Sequence, residues 1–185
     1  AYGAEVSFSD CTFAHNTAQE GGGGLYGTST QSMSVDRCVF AGNETTVGEG
    51  GGFYNESIQS LTANCLFLRN RAMGMRGYGG GMRPSSGGTD LLKNCTFTQN
   101  EARCAGALGG DTRTQSLLIM CALQNCILWG DKALAGPEIY LEGGAFIPMM
   151  TTCCLQGAAA TADPAMFIGA DPLFVDGDAG SVQLM

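Results

Sequence analysis

The chain has 185 residues, a formal net charge of −8, 29 glycines and nine cysteines, with 14% charged and 44% hydrophobic residues. That length supports one domain with a substantial core. The acidic balance argues against nucleic acid or anionic lipid as partners, which need clustered Lys and Arg, and apolar residues recurring in register argue against disorder.

Taken in chain order, the first predicted element holds Val6 and Phe8 on one face, since residues two apart in a strand share a face. Asp10 marks a corner that resets the parity, and Cys11-Thr12-Phe13 follows with Cys11 and Phe13 on one side. Asn16 closes this segment. Gly21 to Gly24 come next, and Leu25-Tyr26 opens a third strand. The same unit returns as Met33, Val35, Arg37, Cys38, Phe40, Asn43, Gly50 to Gly52 and Phe53-Tyr54. It returns again as Asn64, Cys65, Phe67, Asn70 and Gly79 to Gly81, and then as Leu92, Asn94, Cys95, Phe97, Asn100 and Gly109-Gly110. A degenerate fifth copy runs through Cys121, Leu123, Asn125, Cys126, Leu128, Trp129 and Asp131, followed by Glu138-Ile139-Tyr140 and Gly143-Gly144. A vestigial sixth is Cys153-Cys154-Leu155. The steps between equivalent cysteines are 27, 27, 30, 31 and 27 residues.

A unit of three short strands cannot bury its apolar face alone, whereas stacked copies bury a continuous core. A helical hairpin repeat of similar period fails on the glycine clusters and the strand-like alternation. An antiparallel sandwich would not place identical residues at one fixed period. The fold class is therefore all-β: a right-handed parallel β-helix of about six coils of 27–31 residues, one domain over residues 1–185. The chain starts at Ala1 and ends on a strand-like Ser181–Met185, so it is expected to be a processed part of a longer protein. Open ends of a solenoid need covering, which points to upstream sequence or a neighbouring β-helix chain over Val6–Phe8. No stretch of about 18 apolar residues offers a membrane span.

Coils lie about 4.8 Å apart, so each repeat position forms a column. Phe13, Phe40, Phe67 and Phe97 are expected to stack. Asn16, Asn43, Asn70, Asn100 and Asp131 are expected at a tight corner in the left-handed conformation, their amides bonding the coils above and below. Cys11, Cys38, Cys65, Cys95, Cys126 and Cys153 read first as small buried hydrophobes. Disulfides stay open, because neighbouring Cα atoms fall within bridging distance. Cys104 and Cys121 stand outside the main column and are the better candidates for a bridge.

The recurring Phe-x-x-Asn (Phe13 to Asn16, Phe40 to Asn43, Phe67 to Asn70, Phe97 to Asn100), alternating with Gly-Gly-rich segments, resembles the repeats of chlamydial polymorphic outer membrane proteins over roughly residues 1–110. Here Gly-Gly-Gly-Leu-Tyr and Gly-Gly-Gly-Phe-Tyr stand in place of the usual Gly-Gly-Ala-aliphatic form. Asn125–Gly130, Pro137–Tyr140, Cys154–Gly157 and Asp171–Asp176 are similar to the closing coils of large secreted bacterial β-helix proteins. The resemblance implies a secreted or cell-surface location, an adhesin-like role, and surface glycans or host and matrix proteins as partners.

No catalytic constellation stands out. Glu5, Asp10, Glu20, Asp36, Glu44, Glu49, Glu56, Asp90 and Glu101 look scattered over the repeat, although a glycosidase needs two carboxylates about 5–9.5 Å apart. Arg69, Arg71, Arg76 and Arg83 cluster in sequence and motivate the alternative of a polysaccharide-binding or polysaccharide-degrading protein. His15, the sole histidine, has no evident nucleophile partner. Tyr26, Tyr54, Tyr78, Tyr140 and Trp129 are read as coil-edge packing rather than a sugar-binding surface. Asp176 and Asp178 are a weak Ca²⁺ candidate, lacking the remaining ligands of a full loop; no other cofactor is expected. Asn43, Asn55 and Asn94 match glycosylation sequons, with Asn55 the one expected to be free.

Overall fold

A computed structural model describes residues 4–28, 31–85, 87–111, 120–142, 149–157, 167–172, 174–175 and 183–184. The chain winds as a parallel solenoid of about five turns with a partial sixth, and its strands fall into four stacked sheets. Sheet A contains Glu5–Ser9, Ser32–Asp36, Gln59–Ala63, Thr89–Lys93, Met120–Gln124 and Met149–Thr151. Sheet B contains Thr12–Ala14, Val39–Ala41, Leu66–Leu68, Thr96–Thr98, Ile127–Trp129, Cys153–Leu155 and Phe167–Ile168. Sheet C, short and absent from the sequence reading, contains Thr17–Ala18, Glu44–Thr45, Arg71–Ala72 and Glu101–Ala102. Sheet D contains Leu25–Thr28, Phe53–Glu56, Met82–Arg83, Leu108–Asp111 and Ile139–Glu142. An antiparallel pair, Phe174–Val175 with Gln183–Leu184, lies beyond them.

The corners explain why such short strands stay in register. Left-handed φ values recur in columns: Asp10, Arg37, Asn64, Asn94, Asn125 and Thr152 before the cysteines, and His15, Gly42, Arg69, Gln99 and Gly130 before the Asn column. A third column, before sheet D, holds Gly22, Gly50, Gly79, Ala105 and Gly136. Each is a single left-handed residue, which turns the chain without a loop. This corrects the expectation for the Asn column. The residue before each asparagine takes the positive φ, and the asparagine itself turns its amide into the core. Asn43, Asn70 and Asn100 are fully buried.

The interior is a set of parallel columns. Phe13, Phe40, Phe67 and Phe97 are in register, their rings 4.8, 4.7 and 4.4 Å apart and within 8° of parallel. Leu128 continues the column in the fifth turn. The amide nitrogens of Asn16, Asn43 and Asn70 each donate to the Oδ1 of the next asparagine at 3.0 Å, and Asn100 donates to Asp131 at 2.7 Å. The amide nitrogens of Asn43, Asn70 and Asn100 also donate back to the carbonyls of Phe13, Phe40 and Phe67.

The charges are less scattered than expected. Glu44, Arg71, Glu101 and Lys132 occupy one register on sheet C with alternating sign, and Arg71 reaches Glu44 at 3.7 Å and Glu101 at 3.3 Å. All nine cysteines are free. Cys104 and Cys121 are not bridged: Cys104 is half-buried and forms backbone bridges to Tyr78 and Ala135, whereas Cys121 lies buried in sheet A beside Asp90. Asn55 is fully buried and its amide donates to Asp90 at 2.6 Å, so it is not available to a glycosyltransferase. Asp176 and Asp178 lie outside the described residues.

Candidate functional site

Sheet D alternates by parity. Phe53, Met82 and Leu108 point inward and are buried, so the residues after them face out. Tyr26, Tyr54 and Arg83 therefore form one outward column. The tyrosine rings stack at 4.9 Å, and the Arg83 guanidinium lies 4.8 Å from the Tyr54 ring centroid, close enough for cation–π attraction. Tyr26 is half exposed.

Carboxylates meet this column from two sides. Two residues beyond Tyr54 on the same face, Glu56 accepts hydrogen bonds from Tyr54 at 2.6 Å and Tyr26 at 2.7 Å, with Thr28 at 3.4 Å. Glu49, from the glycine-rich corner, accepts from Arg83 Nε at 2.8 Å in a pair that is almost wholly buried. Glycine at position 21 makes room for the aromatic column, because a Cβ there would sit 2.5 Å from the Tyr54 ring. Between this corner and the tyrosines opens a cleft of about 470 Å³ lined by Glu20, Tyr26, Val47, Glu49, Tyr54 and Arg76.

Burial raises the Glu56 carboxyl, but the bonds from Tyr54 and Tyr26 and the nearby Arg83 outweigh it, leaving its pKa below the usual carboxylate range. Burial, with Arg83 opposing and Glu56 adding, pushes the Tyr54 phenol up. Tyr26 is raised by burial and by its bond to Glu56. Both phenols thus keep their protons and donate them, and neither is poised as a base.

Behind the cleft lies a polar knot that sequence reasoning missed. Asp90 is fully buried and accepts from Asn55, from the Ser85 backbone at 2.8 Å and from the Ser60 hydroxyl. Burial raises its carboxyl, with Ser60, Ser85 and Asn55 opposing. The knot anchors the segment directly after Arg83, whose Nη1 also donates to the Pro84 carbonyl at 2.8 Å. The available signal was register: Ser60 and Asp90 stand five residues before Cys65 and Cys95, where Val6, Met33 and Cys121 point inward.

The four arginines do not form one spot. Arg76 lines the cleft, buried Arg83 stacks on Tyr54 and pairs with Glu49, Arg71 belongs to the charge column, and Arg69 donates to Gln99 at 2.7 Å on the exposed corner. Exposed His15 occupies a left-handed corner. Tyr78 is buried and faces Tyr140 at 6.5 Å. Sheet A offers a second, shallow face of about 660 Å³ whose lining includes Ser7, Ser32, Ser34, Gln59 and Thr89; Glu5 and Lys93, its only charged lining residues, lie on the first and fourth strands.

A family model described as "Right handed beta helix region" matches residues 1–119. No curated protein and no solved structure gives a significant match to this chain.

Proposed function

The chain belongs to the right-handed β-helix family, and from that premise we propose that it is a non-catalytic extracellular or cell-surface scaffold that binds glycans in the sheet D cleft. The observation that carries this reading is the Tyr26–Tyr54–Arg83 stack flanked by Glu56 and Glu49. A sugar ring offers an apolar face to an aromatic side chain, and its hydroxyls bond to carboxylates and guanidinium groups. The polar groups are pre-bonded to one another, which fixes their geometry before a ligand arrives. An adhesin-like or shielding role follows from such a site on a rigid rod.

Calorimetric titration against a panel of neutral and acidic oligosaccharides tests the proposal. Binding by at least one class, weakened tenfold or more by Tyr26→Ala, is the expected result, with no new reducing ends or unsaturated sugars. Affinity untouched by Tyr26→Ala would remove the cleft from consideration. The second reading, a polysaccharide-degrading enzyme, is favoured by Glu49 and Arg76 lining one cleft, with buried Arg83 paired to Glu49. Turnover abolished by Glu49→Gln would establish it instead.

A further inference from the structure

Cys11, Cys38, Cys65, Cys95, Cys126 and Cys153 occupy one position in six successive turns, the first five just before a strand of sheet B and Cys153 as the first residue of one. Each thiol donates to the carbonyl two residues earlier in its own turn, at 3.0–3.4 Å from Ser9, Asp36, Ala63, Lys93, Gln124 and Thr151. From the second turn on, each sulfur also lies 3.4–3.8 Å from a carbonyl of the preceding turn. The Cys38 backbone N–H donates to Cys65 Sγ at 3.4 Å. The sulfurs therefore form a line along the solenoid axis at the coil spacing of about 4.8 Å.

That spacing selects a chemistry. The Cα spacing would permit a disulfide, but the cysteines of the column are all free. A tetrahedral zinc site needs four converging ligands, and among the described residues no group of three or more His, Cys, Asp or Glu converges in that way. Two sulfurs about 4.8 Å apart are separated by about twice a metal–thiolate bond of about 2.3 Å. Such a pair fits an ion held linearly by two soft ligands, and thiolates select Cu(I) among biological metals. We propose that the thiol column is a binding site for soft monovalent ions of the Cu(I) class, each held between sulfurs of successive turns.

Both thiols of a pair ionise to hold an ion, so two protons leave to solvent for each ion that enters, and neither metal nor sulfur changes oxidation state. Six thiols taken in pairs hold three ions.

The test uses Ag(I), a redox-inert member of the class, added anaerobically to the full chain. Expected are saturation near three ions, a sulfur-to-silver charge-transfer band, unchanged far-ultraviolet dichroism, and a shell of two collinear sulfurs by X-ray absorption. Cys65→Ala lowers the stoichiometry, and Cys104→Ala, outside the column, leaves it at three. X-ray absorption on the native chain needs no variant and decides the matter if Cys65→Ala fails to fold. The proposal is overturned by no uptake at micromolar silver, by a shell of three or four sulfurs, by loss of the β signal on binding, or by uptake that depends on Cys104.

Discussion

Asp131 is the one member of the Asn column that cannot donate as a carboxylate. Its Oδ1 accepts from the Asn100 backbone and amide as an asparagine would. Its buried Oδ2, where the other members carry a donor nitrogen, has no hydrogen-bond partner, and neither has the buried Oε2 of Glu138, whose Oε1 accepts from the Asp131 backbone. Burial first, then the neighbouring Glu138, raises the Asp131 carboxyl well above its usual value. A carboxyl whose folded pKa exceeds its unfolded one binds protons more tightly when folded. Its stabilising effect is therefore complete below the ordinary carboxyl pKa and is lost as pH rises through the folded value. Asp131→Asn restores the amide and should stabilise the protein by about 1 kcal/mol at neutral pH, with the gain shrinking toward pH 4. Urea melts of both proteins at the two pH values check the sign. In the middle of the column, Asn70→Ala should cost about 1–3 kcal/mol for each backbone group left unpaired. Phe67→Ala should cost about 3–5 kcal/mol through its cavity, whereas Arg69→Lys on the exposed corner should cost under about 0.5 kcal/mol. Equal sensitivity at Arg69 and Phe67 in thermal melts would contradict the inward and outward assignment. The Cys, Phe and Asn columns were legible because one residue type recurs at one offset. The Asp90 knot was not, because Ser60, Thr62 and Asp90 occupy inward positions with polar side chains, and polarity there reads as surface.

At the scale of the element, corners matter more than strands. Sheet C strands have two residues each, too few for any periodicity to show in the sequence, and they exist because left-handed corners on either side aim the chain. Gly50→Ala should cost at least about 1 kcal/mol: its φ is +65°, and a Cβ would stand 2.6 Å from the Phe53 carbonyl oxygen. Asn94→Gly relieves a φ of +52° but gives up exposed amide bonds to Asn64 at 3.0 Å and from Asn125 at 2.8 Å, so it should cost less than Gly50→Ala, under about 1 kcal/mol; denaturant midpoints of the two variants compare them directly. The sheet C charge column makes a further demand. Arg71→Glu would place like charges on three successive turns, costing about 0.5–1 kcal/mol at low salt and less at high salt, since these side chains are half exposed. Melts across an ionic-strength series read that slope. The sheet D cleft was half legible: Tyr26 and Tyr54 recur after the glycine clusters but read as coil-edge packing, and Arg83 and Glu49 are 34 residues apart, so only the winding brings them together.

For the whole molecule, the stack makes each turn depend chiefly on its neighbours. The repeat period alone disclosed this architecture, while the chemistry on its surface depended on residues that break the repeat. Because stability in such a stack is a sum of neighbour terms, the Phe67→Ala lesson extends outward. Damage in a central turn should release two interfaces at once, and hydrogen exchange should show lost protection in the turns on both sides, with Val39–Ala41 and Thr96–Thr98 affected most. Loss of protection confined to the mutated turn would argue against neighbour coupling.

The buried and the exposed amide ladders run opposite ways. In the core, each side-chain link from Asn16 to Asp131 donates toward the higher-numbered turn. On the exposed corner, Asn64 donates to Asp36, Asn94 to Asn64 and Asn125 to Asn94, toward the lower-numbered turn. Aligned links polarise one another, so the solenoid carries two antiparallel strings of dipoles side by side, and their axial fields oppose.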